Sequence, residues 1–336
     1  MMMAGNNRKS GTIKKSGNGA SGCDSSTADF SIWPIALSER LSASGHGRGK
    51  GDMGMTSEVL VRSAVHGGVQ NEPNEKWAPF EWLEPRFGAQ VHGEYVVIRP
   101  EGVSGSLSAG LWRSGPTAPG AASDGSHTIL YSSPLGDETA CVIDGTAVLT
   151  VISTGKRYEV GPGSIISSPK GLEVQWDIEG PAFKKYWCIW NGSEPTANPP
   201  QDLLITHVSD NPEEWQEYHF TEPAEGALVA GELYFIRTGG STGTMLSGVW
   251  RSGKGIAGSD VDDKGTMSTP YTGVLGDETI LLLEGEVEVT ETESGKLHNF
   301  KAGDVIGLSS GMHVTWTSKG PFSKKLWVIT RDVLPE

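Results

Sequence analysis

The chain has 336 residues, 20% of them charged and 36% hydrophobic, with a net charge of −14. That length suggests two domains of ordinary soluble composition. No apolar run is long enough to span a bilayer, which excludes a transmembrane helix. The first 50 residues carry seven basic and three acidic side chains, net +4, which leaves −18 for residues 51–336. An acidic body repels phosphate backbones, so nucleic acid is not an expected partner, nor is a membrane.

The chain opens on a segment rich in Gly, Ser, Lys and Asn, with few apolar residues outside Phe30–Leu41. Such a composition buries too little surface to offset chain entropy, so residues 1–60 are expected to be a disordered tail. Two alternatives stay open: a start-site artefact, with translation beginning at Met53 or Met55, and an organelle transit peptide. Cys23, Cys141 and Cys188 are isolated, which fits neither a zinc site nor a disulfide framework. A reducing, cytoplasmic setting is the expectation.

From residue 75 the chain repeats itself. Trp112-Arg113-Ser114-Gly115 returns as Trp250-Arg251-Ser252-Gly253, and Leu135-Gly136-Asp137-Glu138-Thr139 as Leu275-Gly276-Asp277-Glu278-Thr279. Gly145, Gly163, Gly171, Trp176, Gly180-Pro181, Lys184-Lys185 and Trp187 return as Gly285, Gly303, Gly311, Trp316, Gly320-Pro321, Lys324-Lys325 and Trp327. The offset changes from 138 to 140, which places a two-residue indel between the first two matches. The chain therefore reads as a duplicated domain, residues 75–200 and 201–336.

In chain order each copy predicts strands. Residues 139–143 and 279–283 are apolar runs too short for a helix, and Gly145 and Gly285 end them. Val287-Glu288-Val289-Thr290 alternates with period two; Ser294-Gly295 and Ala302-Gly303-Asp304 mark turns; Val305–Leu308, Met312–Thr317 and Leu326–Thr330 complete the set. Short, regularly spaced strands with turn signals predict an all-β sandwich or barrel. One helix is expected, over Pro212–Tyr218 in the connector, with Asn211 or Asp210 as its N-cap.

The spacing Glu278, six residues, Gly285, then a hairpin and Gly303 with Ser309-Ser310-Gly311 resembles the two cupin motifs. Glu138, Gly145, Gly163 and Pro169-Lys170-Gly171 repeat it. The fuller resemblance is to the subgroup holding (S)-ureidoglycine aminohydrolase and the ethanolamine-utilisation cupins, through the strands bearing Trp176 or Trp316 and the Lys-bearing last strands. The resemblance covers residues 80–332 and implies two tandem double-stranded β-helix (jelly-roll) barrels. The repeat pair itself makes an intramolecular pseudo-dimer, as a monomer or a homodimer.

The chain departs from that pattern at the metal ligands. Where a cupin supplies a His-x-His pair, Tyr131-Ser132-Ser133-Pro134 and Tyr271-Thr272-Gly273-Val274 stand. The second-motif ligand position falls on Val174 and Val314. His313 is one residue off, which in a strand turns it to the other face. One carboxylate makes no tight metal site, so no metal and no cofactor is expected, an atypical divalent site being the alternative. Of the histidines, each is expected on the surface or in packing, with His127, in a loop at the barrel mouth, the exception.

The polar residues common to both copies are the candidate site. The resemblance implies Glu278 as acid or base, Tyr271 as donor, Arg251 and Lys325 as anion holders, and Trp316 as a wall. Glu138, Tyr131, Arg113, Lys185 and Trp176 are the first copy's equivalents. Each double Lys puts one ammonium on each strand face, so one can meet the Glu. A Glu buried among aromatic rings suits acid–base work, or with its Lys is a self-neutralising structural pair. Two functions stay open: an enzyme acting on a small polar or anionic metabolite, and a non-catalytic ligand-binding or structural bicupin.

Overall fold

The computed structural model describes residues 77–332. The expected tail at 1–60, with Cys23 and His46, lies outside the described residues, as does His66. Every regular element among them is a strand.

The first copy contributes β1 (Ala78–Glu84), β2 (Gly88–Arg99), β3 (Ser106–Ser114), β4 (His127–Tyr131), β5 (Asp137–Asp144), β6 (Ala147–Val151), β7 (Arg157–Val160), β8 (Ser164–Ser168), β9 (Val174–Ile178) and β10 (Phe183–Asn191). After it come β11 (Leu204–His207), β12 (Gln216–Glu222), β13 (Gly226–Arg237), β14 (Thr244–Gly253), β15 (Met267–Tyr271), β16 (Asp277–Glu284), β17 (Glu286–Glu291), β18 (Leu297–Lys301), β19 (Val305–Leu308), β20 (Val314–Ser318) and β21 (Phe322–Arg331). Each copy closes a large sheet over a small one. The large sheets run β1-β2-β3-β10-β5-β8-β11 and β12-β13-β14-β21-β16-β19, and the small ones β4-β9-β6-β7 and β15-β20-β17-β18. Two tandem jelly-roll barrels result. β11, which follows the first repeat in the chain, extends the first barrel's sheet by pairing with β8.

The large sheets are covered on both faces, which explains their unbroken apolar runs. Ala140 and Val142 of β5 point into the first barrel, while Cys141 between them joins the layer that packs the two large sheets together. Ile280 and Leu282 do the same in the second barrel, with Leu281 in the shared layer. Trp190, fully buried, anchors that layer. At ~25 cal/mol per Å² and about 150–250 Å² per aromatic side chain, its burial is worth roughly 4–6 kcal/mol before entropy. The small sheets keep one face in solvent and alternate: Val287 and Val289 are buried, Glu286 exposed and Glu288 half-exposed. Gly145 and Gly285 turn the chain at φ +80 and +85, and a Cβ there would strike the Ala182 and Phe322 carbonyls.

Two expectations need correction. Residues 212–218 form no helix. Trp215 lies flat under Arg251 and sends its indole N–H to Asn211 Oδ1 (2.8 Å), so the expected cap serves the side chain. The chain then enters β12, whose Glu222 and Phe220 are buried while Gln216, Glu217, His219 and Thr221 face out. Strand pairing with β13 outweighs the helical composition. His127 also leaves the expected loop; it opens β4 and is 4% exposed.

Candidate functional site

The first barrel encloses a cavity of about 380 Å³. Strand alternation decides what faces it. On β10, Lys185, Trp187 and Ile189 point inward; on β3, Ser108 and Trp112; on β5, Glu138. Trp176, Ile129 and Tyr131 come from the small sheet, and Phe80, Trp82, His92 and Tyr95 from the outer hairpin of β1 and β2. The wall is mostly aromatic, with one ion pair set into it.

That pair is Lys185 Nζ on Glu138 Oε1, both side chains nearly buried. The ammonium also lies 4.6 Å from the Trp176 ring centre and 6.0 Å from that of Tyr131. A cation over such rings is held by their quadrupoles as well as by the carboxylate. Burial, and then the Glu138 charge, push the Tyr131 phenol well above its ordinary pKa, so it stays a donor. Its hydroxyl is buried in the cavity wall and has no hydrogen-bond partner.

The second barrel repeats the arrangement with a different interior. Lys325 Nζ meets Glu278 Oε1 at 2.7 Å, 4.3 Å from the Trp316 ring and 5.2 Å from that of Trp250. Burial, and then the charge of the neighbouring Glu278, push the Tyr271 phenol well above its ordinary pKa. Where the first barrel has Val97 and Ser108, this one has Phe235 and Leu246, both packed against its core with Leu275 and Val261. Val261 belongs to the two residues, Asp260 and Val261, that the second copy has in excess: the turn bond Ala121 N–H to Ala118 O recurs at offset 138, and Ala122 N–H to Ser126 O at 140.

Of the residues expected at the site, the structure brings Glu138, Tyr131, Lys185 and Trp176 together in one barrel and Glu278, Tyr271, Lys325 and Trp316 in the other. Arg113 and Arg251 are not brought to either interior. Trp112 and Trp250 point inward, so the next residue points out. Arg113 meets Glu94 at 2.9 Å and lies over the Trp77 ring at 4.2 Å; Arg251 meets Glu232 at 2.8 Å and lies over Trp215 at 3.9 Å. As anion holders at the barrel mouth they are displaced by this geometry.

The sequence reasoning missed His92. It lines the cavity, and its Nδ1 meets His127 Nε2 at 2.5 Å; His127 Nδ1 meets Ser114 Oγ at 2.9 Å. The two histidines are 35 residues apart, and no local pattern joins them. A signal existed in the comparison of copies, where Ala230 and Met267 replace them.

Cupins commonly hold a metal ion against the first-motif Glu, and these residues do not fit one. Both carboxylates already face an ammonium. Val174 and Val314 sit buried at the second-motif position, and His313 beside Val314 faces out. No group of three or more His, Cys, Asp or Glu converges among the described residues.

The fold and the paired barrels define a bicupin, two cupin barrels in one chain. Residues 266–326 match the EutQ-like cupin domain, so the second barrel carries a cupin domain of that kind. No curated protein matches the chain. Among solved structures, a protein of unknown function of the DUF861 family from Pseudomonas syringae pv. tomato str. DC3000 is 16% identical, with a TM-score of 0.54 over 81% of this chain and 100% of that one. A protein of Pseudomonas aeruginosa named as glyoxylate-induced is 14% identical, with a TM-score of 0.50 over 87% and 97%. At these identities the likeness is one of fold. No helix among the described residues is long and apolar enough to cross a membrane.

Proposed function

We propose that the first barrel is the working site, and that it binds and acts on a small anionic metabolite, a carboxylate bearing an amino or ureido group. The observation that carries this reading is the Lys185–Glu138 pair set in the wall of a 380 Å³ cavity, beside a Tyr131 hydroxyl that lacks a partner. An ammonium has three donors, and Glu138 takes one of them. A ligand carboxylate takes another, and the Tyr131 hydroxyl gives the ligand a further donor. Glu138, released in part from its lysine, is the group placed to exchange a proton with the ligand. The likeness to the (S)-ureidoglycine aminohydrolase branch supports hydrolytic removal of an amino group as the first chemistry to assay.

The second barrel is read differently. Its ion pair is the same, but Phe235 and Leu246 pack where the first barrel is open. We assign it the structural role, its Lys325–Glu278 pair neutralising itself.

The test is a calorimetric screen of two- to four-carbon carboxylates, with and without amino or ureido groups, together with an ammonia-release assay. Wild type binds and K325M/E278Q binds equally, while K185M/E138Q loses binding and E138Q retains binding without turnover. Equal binding by K185M/E138Q overturns the assignment.

A further inference from the structure

We propose that Ser114, His127 and His92 form a chain of hydrogen-bond donors aimed into the first barrel, so that His92 Nε2–H is the second positive end, beside Lys185, that an anionic ligand meets. The inference rests on the reading of the first barrel as a small-molecule site and adds a specificity-determining residue to it.

The direction of the chain follows from the serine. Ser114 is buried, and its hydroxyl meets His127 Nδ1 at 2.9 Å. The second barrel shows what else surrounds such a hydroxyl. There Met267 replaces the histidine, and Ser252 Oγ is buried with no partner at all. The imidazole is therefore the acceptor on which the Ser114 proton depends, and a buried hydroxyl that cannot donate is costly. With Nδ1 accepting, a neutral His127 carries its proton on Nε2 and donates it to His92 Nδ1 across 2.5 Å. His92 then carries its own proton on Nε2. No hydrogen bond within the described residues engages that nitrogen, and the ring lines the cavity, 5.2 Å from the Trp82 ring.

Both rings stay neutral in this scheme. Burial lowers the His92 pKa, and burial with the neighbouring His92 holds His127 at about 4. The chain thus offers a polarised N–H without a second full charge. It favours an anionic oxygen over a cation, whose positive end would face both Lys185 and the N–H. Ala230 and Met267 leave the second barrel without this donor, in line with its packed interior.

The test uses the full chain labelled with nitrogen-15 histidine, with acetate and tetramethylammonium as probes. In the free protein His92 and His127 should both read as the neutral Nε2–H tautomer between pH 6 and 8. Acetate should shift His92 Nε2 and quench tryptophan fluorescence; tetramethylammonium should do neither. H92A, which copies Ala230, should weaken acetate by about tenfold or more, and S114A should scramble the tautomers and weaken it less. S252A should change nothing. A bare Nε2 on His92 in the free protein overturns the chain whatever binds. Acetate binding that is equal in wild type and H92A overturns the role of His92 while leaving the Lys185 site standing. Absence of carboxylate binding to wild type overturns both.

Discussion

Arg99 of the first barrel reaches Asp277 of the second, 3.2 Å from Nη2 to Oδ1, with both side chains 1% exposed. The same guanidinium donates to the Glu278 and Leu308 carbonyls and to Thr279 Oγ1, and its Nε to the Glu101 carbonyl. Asp277 also accepts the Val103 and Ser310 amides. The duplication provides the reciprocal pair, Arg237 with Asp137, but there the groups stand 3.7 Å apart, Arg237 Nε has no partner, and Asp137 is held by Ser241 and the Lys170 amide instead.

A buried charge network is most costly to break where every donor is used. Arg99→Met leaves Asp277 buried against orphaned carbonyls and should cost about 3–5 kcal/mol. Arg237→Met leaves Asp137 with three hydrogen bonds and removes an under-satisfied cation, so it should cost under about 1.5 kcal/mol. Urea unfolding of the two variants decides this, and equal losses would show that the asymmetry carries no energy.

Glu84 and Glu222 make a second unequal pair. Both are buried, but Glu222 accepts the Thr272 amide at 3.1 Å and the Thr272 hydroxyl at 2.6 Å, while neither oxygen of Glu84 has a partner. The first copy has Ser132 where the second has Thr272. Glu84→Met should therefore stabilise the protein by about 1–3 kcal/mol, and Glu222→Met should destabilise it by a similar amount. Tm shifts of about 2–4 °C per kcal/mol make the opposite signs readable in a melting curve.

Much of the fold was legible because the duplication writes each constraint twice. The runs at 139–143 and 279–283, the turn glycines and the Lys-Lys alternation all translated directly into strands, turns and faces. The same rule, applied one step further, would have put Arg113 outward as soon as Trp112 was read as core. The helix at 212–218 was a failure to use the repeat. Trp215 is the counterpart of Trp77, and the residues after Trp77 form β1 as those after Trp215 form β12; glutamate-rich composition points to a helix where the repeat holds a strand. The His92–His127 contact was beyond local reading, because sheet closure brings together residues from β2 and β4. The interior side chains Val97 and Ser108 against Phe235 and Leu246 differ in volume, a difference that no motif expresses.

That difference is testable by exchange. Val97→Phe with Ser108→Leu gives the first barrel the second barrel's side chains. It should abolish ligand binding and leave stability little changed, since Ser108→Leu adds buried apolar surface whereas the Val97 position is 42% exposed. The reverse exchange, Phe235→Val with Leu246→Ser, should open the second barrel at a cost of about 2–5 kcal/mol for the apolar volume removed. Retained binding in the filled first barrel would place the ligand elsewhere.

The histidine pair also ties stability to pH. His127 titrates at about 4 in the folded protein against 6.5 for the free side chain, with burial the larger cause and His92 the smaller. Between those values the unfolded chain takes up a proton that the folded chain refuses, so stability falls as the pH falls from 6.5 towards 4, and is fully present above 6.5. At about 1.4 kcal/mol per pKa unit the loss from this residue is roughly 2–3 kcal/mol. Carboxylates contribute their own acid dependence, so the measurement is a difference. His127→Met copies Met267, a side chain the second barrel buries in its core. The variant should lose less stability than wild type between pH 7 and pH 4.5, by that amount, in urea titrations at the two pH values. Parallel losses would mean that His127 is protonated in the folded protein, with Nδ1 then donating to Ser114 Oγ while Nε2 still donates to His92.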